Sequence, residues 1–466
     1  MRCPAGKYAL KTFKRGCGRS QGMKEAEKLL EKVRLRQRPT PAENAVVARI
    51  SAEFIEILGK ALRRARIKAK PVLGGSGAKG TWLRGMHDID MFVCFDYKAY
   101  KEKSDQLSEL LVAPIKKAFP KHERLHGSRD YYRIARHGYN FEIVPILAIK
   151  NSSQARNITD ASLLHSSWVR SHARKKSKDT QLEDEIRLTK AFCRAQRVYG
   201  AESYVRGFSG YACEVLTAYY GSFQKLLAAA ATRWKGNIKA GKKIIIDAED
   251  HYRKREPLRE LNSAKVQSEL IVIDPVQADR NATAALSNET LQKLIAAAEA
   301  FIKKPSENFF EKEDVTEQKL RQMAKQSRLV MVEAKPLQGK EDVVGAKLVK
   351  AHEHILLQLK EKGFAVAKSG WEWDKNKKGN ALLWYIVRKG PPEVEIRYGP
   401  PLDRKEHAEM FRKEHSGKSD RKLFEKNNRL YARIERKHKE PQELISAIIR
   451  EDAYLKDKAQ SYSAKK

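Results

Sequence analysis

The spacing of hydrophobic and polar positions first predicts two amphipathic helices. Residues 23–37, MKEAEKLLEKVRLRQ, place apolar side chains at helical intervals among mixed charges. The sequence TPAE, from Thr40 to Glu43, is a capping box with proline at the first helical position. It predicts a second helix that runs to about Arg66.

Short runs of β-branched and aromatic residues then predict strands. Residues 70–73 form the first run and lead into a glycine-rich turn. IDMFVCF at 89–95 and YNFEIVPILAI at 139–149 are longer runs, with a shorter one at 131–136 between them. Together with the preceding helices, these strands predict a small α/β domain over residues 23–155.

The pattern becomes largely helical in a central region, residues 156–305. Helical periodicity extends over residues 182–232, and Gly200 suits a C-terminal helix cap. One apolar stripe runs through Leu188, Phe192, Ala195 and Tyr199. The run ELIVID at 269–274 predicts a strand, and residues 288–303 predict a further helix.

The remaining chain predicts a separate α+β domain over residues 306–454. The runs LVMVEAK, FAVAKSG, ALLWYIVRK and EVEIRYG predict strands, and residues 343–362 predict a helix. Residues 455–466 are expected to be a frayed end. Residues 1–22 lack Asp and Glu and are predicted to be a disordered basic extension. The fold class predicted is therefore α+β and multidomain, with a mixed-sheet head, a helical centre and an α+β C-terminal region.

Composition adds a prediction about partners. Lys and Arg total 94 against 58 Asp and Glu, and the net charge of +36 favours a polyanionic partner, with nucleic acid as the first candidate. Surface charge without catalysis is the alternative. The five cysteines include no C-x-x-C pair, so a reducing cytoplasm fits better than a disulfide framework or a zinc site. No run of about eighteen apolar residues occurs, so no membrane span is expected.

The glycine-rich turn invites a dinucleotide-binding interpretation that its context excludes. Residues 74–90, GGSGAKGTWLRGMHDID, contain the spacing G-x-G-x-x-G. A dinucleotide-binding turn needs a full helix before the next strand, but here that strand begins by Ile89. A Walker loop is excluded because Thr81 directly follows the last glycine, where lysine is required.

Paired acids at the end of this stretch indicate metal chemistry. Asp88 and Asp90 lie two apart in a strand, so both point to one face while Ile89 and Met91 face a core. Two like charges side by side are costly without a cation, and Mg²⁺ binds carboxylate oxygens together with substrate phosphates. Glu142, within the apolar run FEIVPI, supplies a third acid. A lone D-x-D is common by chance, but the order glycine turn, D-x-D, then E-h-h-P is more specific.

These segments resemble the nucleotidyltransferase superfamily that includes DNA polymerase beta, and within it the archaeal (class I) CCA-adding enzymes, which are tRNA nucleotidyltransferases. The matching strings are GGSGAKGTWLRGMHDIDMFVCF, NFEIVPI, EIRLTKAFCRAQRVYGAESYVRGFSGYACEVLTAYYGSF and VIDPVQADRNATAALS. The resemblance covers residues 23–454 and weakens after about residue 303. It implies template-independent addition of C, C and A to the tRNA 3′ end from CTP and ATP, with Mg²⁺ as cofactor and release of pyrophosphate.

The resemblance also implies site residues. The catalytic and metal-binding carboxylates would be Asp88, Asp90 and Glu142. The nucleotide-binding residues would be Gly75, Ser76, Lys79, Ser162, His165, Lys190, Tyr199 and Arg280. Relatives often have Glu as the first acid and Asp as the third, the reverse of this chain. Lys79 stands where relatives commonly have arginine, which keeps the charge but loses the two-pronged hydrogen bonding.

Taken without the resemblance, several of these residues have ordinary structural explanations. Lys190 falls opposite the apolar stripe, which favours a solvent-facing position. Tyr199 on that stripe would be a core residue, and His165 could be any loop histidine. Arg280 could simply pair with the neighbouring Asp279.

The expected partner is tRNA, bound at its acceptor and T arms. The basic region over residues 397–439 is the leading C-terminal contact, and a solvated helix face is its alternative explanation. A poly(A)-type or other terminal RNA nucleotidyltransferase would use the same carboxylates, and a non-catalytic RNA-binding protein is a further alternative. A cytoplasmic location without membrane contact is expected, and a homodimer is left open.

Overall fold

The chain folds as two compact units, Met1–Glu313 and Asp314–Lys466. The computed structural model describes residues 19–175, 181–253, 256–373 and 379–465. Residues 1–18 of the predicted basic extension therefore lie outside the described residues, and residues 19–22 belong to the first helix. None of the described helices is both long and apolar enough to cross a bilayer.

The first unit combines a mixed sheet, a helical layer and a second small sheet. A π-helical segment, Ala230–Trp234, joins its tenth and eleventh helices. In chain order its elements are α1 (Arg19–Gln37), α2 (Pro41–Arg64), β1 (Ala69–Leu73), α3 (Gly75–Lys79), β2 (Asp88–Phe95), α4 (Tyr97–Tyr100), α5 (Leu107–Leu110), α6 (Val112–Ala118), β3 (Glu123–Leu125), β4 (Tyr131–Arg136), β5 (Tyr139–Leu147), α7 (Ser162–Lys175), α8 (Leu182–Ala195), α9 (Gly210–Tyr220), α10 (Phe223–Ala229), α11 (Lys235–Lys239), β6 (Ile244–Asp247), α12 (Pro257–Glu260), β7 (Leu270–Asp274), β8 (Gln277–Asn281) and α13 (Asn288–Lys303).

The second unit is an α+β structure with two antiparallel sheets. Their strand orders are β10-β11-β9-β15 and β12-β14-β13. Its elements are α14 (Glu317–Ala324), β9 (Arg328–Lys335), α15 (Glu341–Glu361), β10 (Ala365–Glu372), β11 (Ala381–Lys389), β12 (Val394–Pro401), α16 (Lys405–His415), β13 (Arg421–Lys426), β14 (Arg429–Glu435), α17 (Pro441–Glu451), α18 (Ala453–Lys456) and β15 (Ser461–Lys465).

The five-stranded sheet of the first unit has one covered face and one polar face. Its order is β1-β2-β5-β4-β3, with β2 and β5 parallel and the other neighbours antiparallel. The predicted capping box of α2 is present, because the Thr40 side chain accepts from the Glu43 amide and the Glu43 side chain accepts from the Thr40 amide. Phe54 on α2 stacks on Phe141 of the sheet with ring centroids 4.1 Å apart. This packing buries one face and leaves the carboxylates on the other.

The alternation predicted along β2 is confirmed. Ile89, Met91 and Val93 are buried in the core beneath α2. Asp88 is exposed and Asp90 is half-buried on the opposite face. A single strand therefore supplies both core side chains and two acids.

The predicted end of α8 is wrong. The apolar stripe was expected to continue to Tyr199 with a cap at Gly200, but α8 ends at Ala195. Arg197 takes a left-handed φ of 59° and turns the chain out of the helix. Tyr199 then forms an isolated parallel bridge with Phe208, which holds this segment in an extended conformation.

The central region also contains a sheet that was only partly predicted. The strand at 269–274 and the helix at 288–303 are present as β7 and α13. β7 lies between β6 and β8 in a three-stranded sheet, and the pattern predicted neither β6 nor β8. The region is therefore less purely helical than its sequence pattern indicates.

The expectation of a frayed chain end is wrong for the described residues. Ser461–Lys465 forms β15 and pairs antiparallel with β9. Tyr462 packs against the core of this unit, and its hydroxyl donates to the Leu455 carbonyl at 3.1 Å. Backbone pairing and one aromatic side chain order a segment that has little hydrophobic pattern of its own.

Candidate active site

A tight glycine turn lies against the carboxylates of the mixed sheet. Gly75 begins α3 with a left-handed φ of 54°, and a Cβ at this position would lie 1.6 Å from Asp90 Oδ2. Only glycine therefore fits here, because any side chain would displace the acid. The hydroxyl of the next residue, Ser76, makes no hydrogen bond to a described residue, which leaves it available to a ligand.

The three predicted carboxylates come from two adjacent parallel strands. Asp90 is the register partner of Glu142, and Asp88 is the register partner of Asn140, so all lie on one face of the sheet. The Asn140 amide donates to Asp88 at 3.0 Å. Arg133 donates to Glu142 at 2.8 Å, a contact that the sequence did not predict. Two of the three acids are thus fixed by neighbouring side chains.

Asp90 is the acid that lacks such a partner. Its carboxylate makes no hydrogen bond to a described residue. Burial raises the pKa of Asp90 to about 6, and the neighbouring charges of Glu142 and Asp88 add to the effect. Within the described residues, no three His, Cys, Asp or Glu side chains are gathered closely enough to form a complete metal cluster. The donors are nonetheless carboxylate oxygens around an unpaired acid, and these fit a hard divalent cation.

A buried acid that the sequence did not reveal gathers two predicted nucleotide-binding lysines. Glu214 is 0% exposed, and Lys79 and Lys190 each place Nζ 2.7 Å from a different one of its carboxylate oxygens. The Thr81 hydroxyl donates to the same carboxylate at 2.6 Å. We call these four residues the Glu214 cluster. Burial would raise the pKa of Glu214, but the charges of Lys190 and Lys79 hold that pKa at about 2.

The solvent-facing position favoured for Lys190 by helical periodicity is wrong. The residue is 3% exposed, and its ammonium group also lies 3.0 Å from the Thr81 hydroxyl. The periodicity failed because α8 is covered on more than one side: α1 and α9 both pack against it. Such a helix buries polar positions as well as its apolar stripe.

A second buried acid gathers two further predicted residues. Asp274 is 0% exposed, lies 3.0 Å from His165 Nε2 and pairs with Arg280. The Tyr211 hydroxyl donates to Asp274 at 3.1 Å. We call these four residues the Asp274 cluster. The proposed pairing of Arg280 with Asp279 is not found, since Asp279 pairs with a lysine instead.

Charge and burial oppose each other in the Asp274 cluster. Burial lowers the pKa of His165, and the hydrogen bond to Asp274 counters that effect. Burial would raise the pKa of Asp274, but His165 and Arg280 hold that pKa at about 2. The acid is therefore ionised at neutral pH and fixes the guanidinium group by a charge-assisted hydrogen bond.

Tyr211 joins the two clusters. Lys79 Nζ and the Arg280 guanidinium carbon each lie 5.8 Å from the centroid of its ring, and the His165 ring centroid lies 4.1 Å away. The two distances of 5.8 Å from the cationic groups are within the range of cation–π contact, and the histidine contact is between two rings. The structure thus brings Lys79, His165 and Arg280 together around a tyrosine, and Glu214 joins Lys190 to Lys79.

The last two predicted residues lie close to this site in different ways. A Cβ on Gly210 would meet the Tyr199 hydroxyl at 2.7 Å and the Lys190 side chain at 3.8 Å, which places Tyr199 beside Lys190. Ser162 is the first residue of α7, the helix that carries His165. No hydrogen bond between the Ser162 hydroxyl and either cluster occurs among the described residues.

Glu214 and Asp274, the two acids that were not predicted, have one sequence feature in common: each lies in an apolar run. Glu214 lies in the apolar run ACEVL, and Asp274 ends the apolar run LIVID. An acid inside a hydrophobic segment is rarely buried unless it is paired. The same reasoning identified Glu142 in FEIVPI and could have identified these two.

A basic and aromatic surface is present in the second unit. We define the tail sheet face as the outward side of the sheet β12-β14-β13. Its inward side is covered by α16, and Leu430 and Ala432 are buried there. The basic region at 397–439 therefore contains the strands of this sheet as well as α16, so the solvated-helix explanation applies only to α16. By strand register, the outward side chains are Val394, Ile396, Tyr398, Lys422, Phe424, Lys426, Arg429, Tyr431, Arg433 and Glu435.

The arrangement of charges on the tail sheet face lowers the stability of the protein when nothing is bound there. Lys422 lies directly opposite Arg433, and Lys426 lies directly opposite Arg429. Like charges at such positions are destabilising. Tyr398 is 71% exposed beside these cations. Paired cations with an exposed aromatic ring are typical of a surface that binds the backbone and bases of a nucleic acid.

Comparison with known proteins covers all three predicted regions. Residues 53–165 match the nucleotidyltransferase domain family, and residues 184–311 match the family described as tRNA nucleotidyltransferase, second domain. Residues 326–460 match the family described as CCA-adding enzyme, C-terminal domain.

Two curated archaeal relatives match most of the chain. Among solved structures, a cytoplasmic RNA terminal U-transferase superposes with a TM-score of 0.45 at 13% identity, covering 63% of this chain and 100% of that one. The CCA-adding enzyme of Methanosarcina acetivorans is 30% identical over 84% of this chain and 81% of its own length. That of Nanoarchaeum equitans is 33% identical over 71% of this chain and 76% of its own length. The chain therefore belongs to the family of archaeal CCA-adding enzymes.

Proposed function

We propose that the protein is a CCA tRNA nucleotidyltransferase, which adds C, C and A to the 3′ end of tRNA from CTP and ATP without a nucleic-acid template. The main support is the convergence of Lys79, His165 and Arg280 around Tyr211, with Lys190 joined to Lys79 through Glu214. We assign catalysis to residues 23–155, nucleotide binding to residues 156–305 and tRNA binding to residues 306–454.

We assign the divalent metal, which this superfamily generally uses, to Asp88, Asp90 and Glu142, and we propose Mg²⁺ as the ion. When bound, it supplies a lowered pKa for the attacking 3′-hydroxyl and stabilisation of the leaving oxygen. The protein contributes orientation, because Asn140 holds Asp88 and Arg133 holds Glu142 in place. Asp90, against Gly75, is the acid free to accept a new partner.

The triphosphate would lie at the glycine turn. Gly75 and Ser76 allow close approach of backbone and hydroxyl donors, and Lys79 and Lys190 add positive charge. Tyr199 beside Lys190 limits the space available to the phosphates. Positioning and charge neutralisation of this kind supply most of the rate in phosphoryl transfer.

The base and ribose would meet the Asp274 cluster. Arg280 presents hydrogen-bond donors that Asp274 fixes in one orientation. His165 stacks on Tyr211 and completes this side of the site. Ser162, on the helix that carries His165, is assigned a hydroxyl contact to the nucleotide. Fixed donors of this kind can favour CTP and ATP over other nucleotides.

The tRNA would be held through its backbone. Duplex RNA is recognised mainly by shape and phosphate contacts, so the net charge of +36 suits the acceptor and T arms. The tail sheet face is the leading contact, since its facing pairs of cations and its exposed aromatic side chains match this chemistry.

The deciding experiment uses purified protein, tRNA lacking its CCA end, Mg²⁺, CTP and ATP. We expect addition of C, C and A followed by arrest. A poly(A)-type or other terminal transferase would run on or use a single nucleotide. A non-catalytic RNA-binding protein would bind the tRNA and add nothing.

Two further properties of the protein can be measured directly: its location in the cell and its oligomeric state. Cysteine usage favours a reducing cytoplasm, and cell fractionation measures this directly. The oligomeric state is left open, and light scattering on the purified protein distinguishes a homodimer from a monomer.

A further inference from the structure

Glu214 bonds the two lysines of the Glu214 cluster through separate oxygens. Oε2 lies 2.7 Å from Lys79 Nζ, and Oε1 lies 2.7 Å from Lys190 Nζ. The three residues come from different elements, α3, α8 and α9. A single carboxylate therefore bonds both ammonium groups, although they come from elements far apart in the chain.

The cluster has a surplus of positive charge. Two ammonium groups share one carboxylate, and the Thr81 hydroxyl adds no charge. The arrangement lies beside the glycine turn, because Lys79 is the last residue of α3. A buried surplus of one positive charge favours an anionic ligand at this place.

We propose that Glu214 is a positioning residue for nucleotide binding. It holds Lys79 and Lys190 at a fixed spacing and keeps Lys190 cationic, so that both ammonium groups face the triphosphate of the incoming CTP or ATP. This inference rests on the proposed function, in which the nucleotide binds at the glycine turn.

Burial explains why Lys190 needs this support. Desolvation lowers the pKa of Lys190, and the charge of Lys79 lowers it further, whereas Glu214 raises it. Without the charge of Glu214, nothing in the cluster would oppose the two effects that lower the pKa of Lys190. The titratable groups that face Lys190 and its cluster are Glu214, Cys213 and Tyr211 from α9, Lys79 from α3, Tyr199 from the segment after α8, and Asp90 from β2.

The test is Glu214→Gln, which keeps the shape of the side chain and removes its charge. Equilibrium binding of CTP and of ATP is measured in Mg²⁺ buffer without tRNA, between about pH 6 and pH 9. We expect both affinities to fall by about tenfold or more at neutral pH, the effect of losing a hydrogen bond to a charged group. Affinity should fall further as the pH rises, because Lys190 loses its proton at a lower pH in the variant.

The matched control is Glu185→Gln on α8. Glu185 is 2% exposed and accepts from Arg34 at 2.9 Å and from the Phe223 amide at 2.8 Å, away from both clusters. Its replacement removes an equally buried charge. We expect a lower unfolding temperature and an unchanged pH dependence of nucleotide binding.

A second variant covers the case in which Glu214→Gln does not fold. Glu214→Asp keeps the charge but shortens the side chain, so it cannot reach both lysines. We expect weaker CTP binding with the pH dependence of the wild type. Wild-type affinity in a folded Glu214 variant would overturn the proposal, and so would a pH shift in Glu185→Gln equal to that in Glu214→Gln.

The outcome is separable from that of the proposed function. A wild-type protein that binds CTP but adds no nucleotide to tRNA would refute CCA addition, and the Glu214 comparison would still be decided by binding. A wild-type protein that binds neither nucleotide would overturn both.

Discussion

Gly75 leaves the space that the carboxylate of Asp90 occupies. A methyl group there would lie 1.6 Å from Asp90 Oδ2, so Gly75→Ala must displace either the turn or the acid. We expect this substitution to reduce nucleotide incorporation by at least about 100-fold, in line with the effect of misplacing a reacting group by about 1 Å. Steady-state incorporation with circular dichroism as a folding check measures the effect.

The control for this substitution is Gly85→Ala. Gly85 has a left-handed φ of 75°, but a methyl group there would meet no atom within 4 Å beyond its chain neighbours. Both variants therefore bear a backbone strain of about 1 to 2 kcal/mol, and only Gly75→Ala also collides with a carboxylate. Equal activity losses in the two variants would show that strain, and not the displaced acid, is the cause.

Asp90 and Asp88 should be required for chemistry but not for tRNA binding. We expect Asp90→Ala or Asp88→Ala to abolish incorporation, because the divalent cation loses a carboxylate ligand. The tRNA affinity should change by less than about twofold, since an acid makes no favourable contact with phosphate. Filter binding and incorporation are measured on the same preparations. A fully active double variant would refute the assignment of the metal site.

The acids differ in how far the sequence could predict them. Asp88 and Asp90 follow from the alternation of a strand, which is a local rule. The contact between Lys79 and Glu214 joins positions 135 residues apart, so no local pattern indicates it. The family resemblance implied that Lys190 binds the nucleotide. Only the tertiary packing shows that this lysine is buried against an acid.

Short elements bring the site together. α3 spans five residues between β1 and β2, and its last residue, Lys79, contacts Glu214 of α9. Lys190 comes from α8. The strongly periodic helices and apolar strands were predictable from sequence because burial repeats along them. β8 and β15 were not, because their sequences QADRN and SYSAK are mostly polar, so pairing with a neighbouring strand orders them instead of an apolar pattern.

Removal of β15 tests whether the chain end is structural. Deletion of Ser461–Lys465 and the following residue would expose the edge of β9 and remove the contact of Tyr462 with the core. We expect the free energy of unfolding of the second unit to fall by about 2 kcal/mol, the contribution of burying a large side chain. Denaturant unfolding of the full chain measures this, with deletion of Lys466 alone as the control. A frayed end would give the same stability in both.

The excess of positive charge is distributed over both units, yet the tail sheet face concentrates it in a way that stability alone does not explain. Cross-strand pairs of like charge cost stability, and a polyanion bound to this face would offset the repulsion. The sequence predicted a basic region here. It could not predict that Lys422, Lys426, Arg429 and Arg433 share one face, because that depends on strand register.

Reversal of two of these charges separates binding from folding. In Lys422→Glu combined with Lys426→Glu, each new acid lies opposite an arginine, so the fold should be as stable as the wild type or more so. We expect tRNA affinity to fall about tenfold or more and the slope of log affinity against log salt to flatten by about 2, because two phosphate contacts are lost. CTP binding should not change. Lys360→Glu with Lys362→Glu, at the end of α15, makes the same change in net charge elsewhere in this unit. If both double variants flatten the slope equally, net charge governs binding; if neither does, the tail sheet face does not contact tRNA.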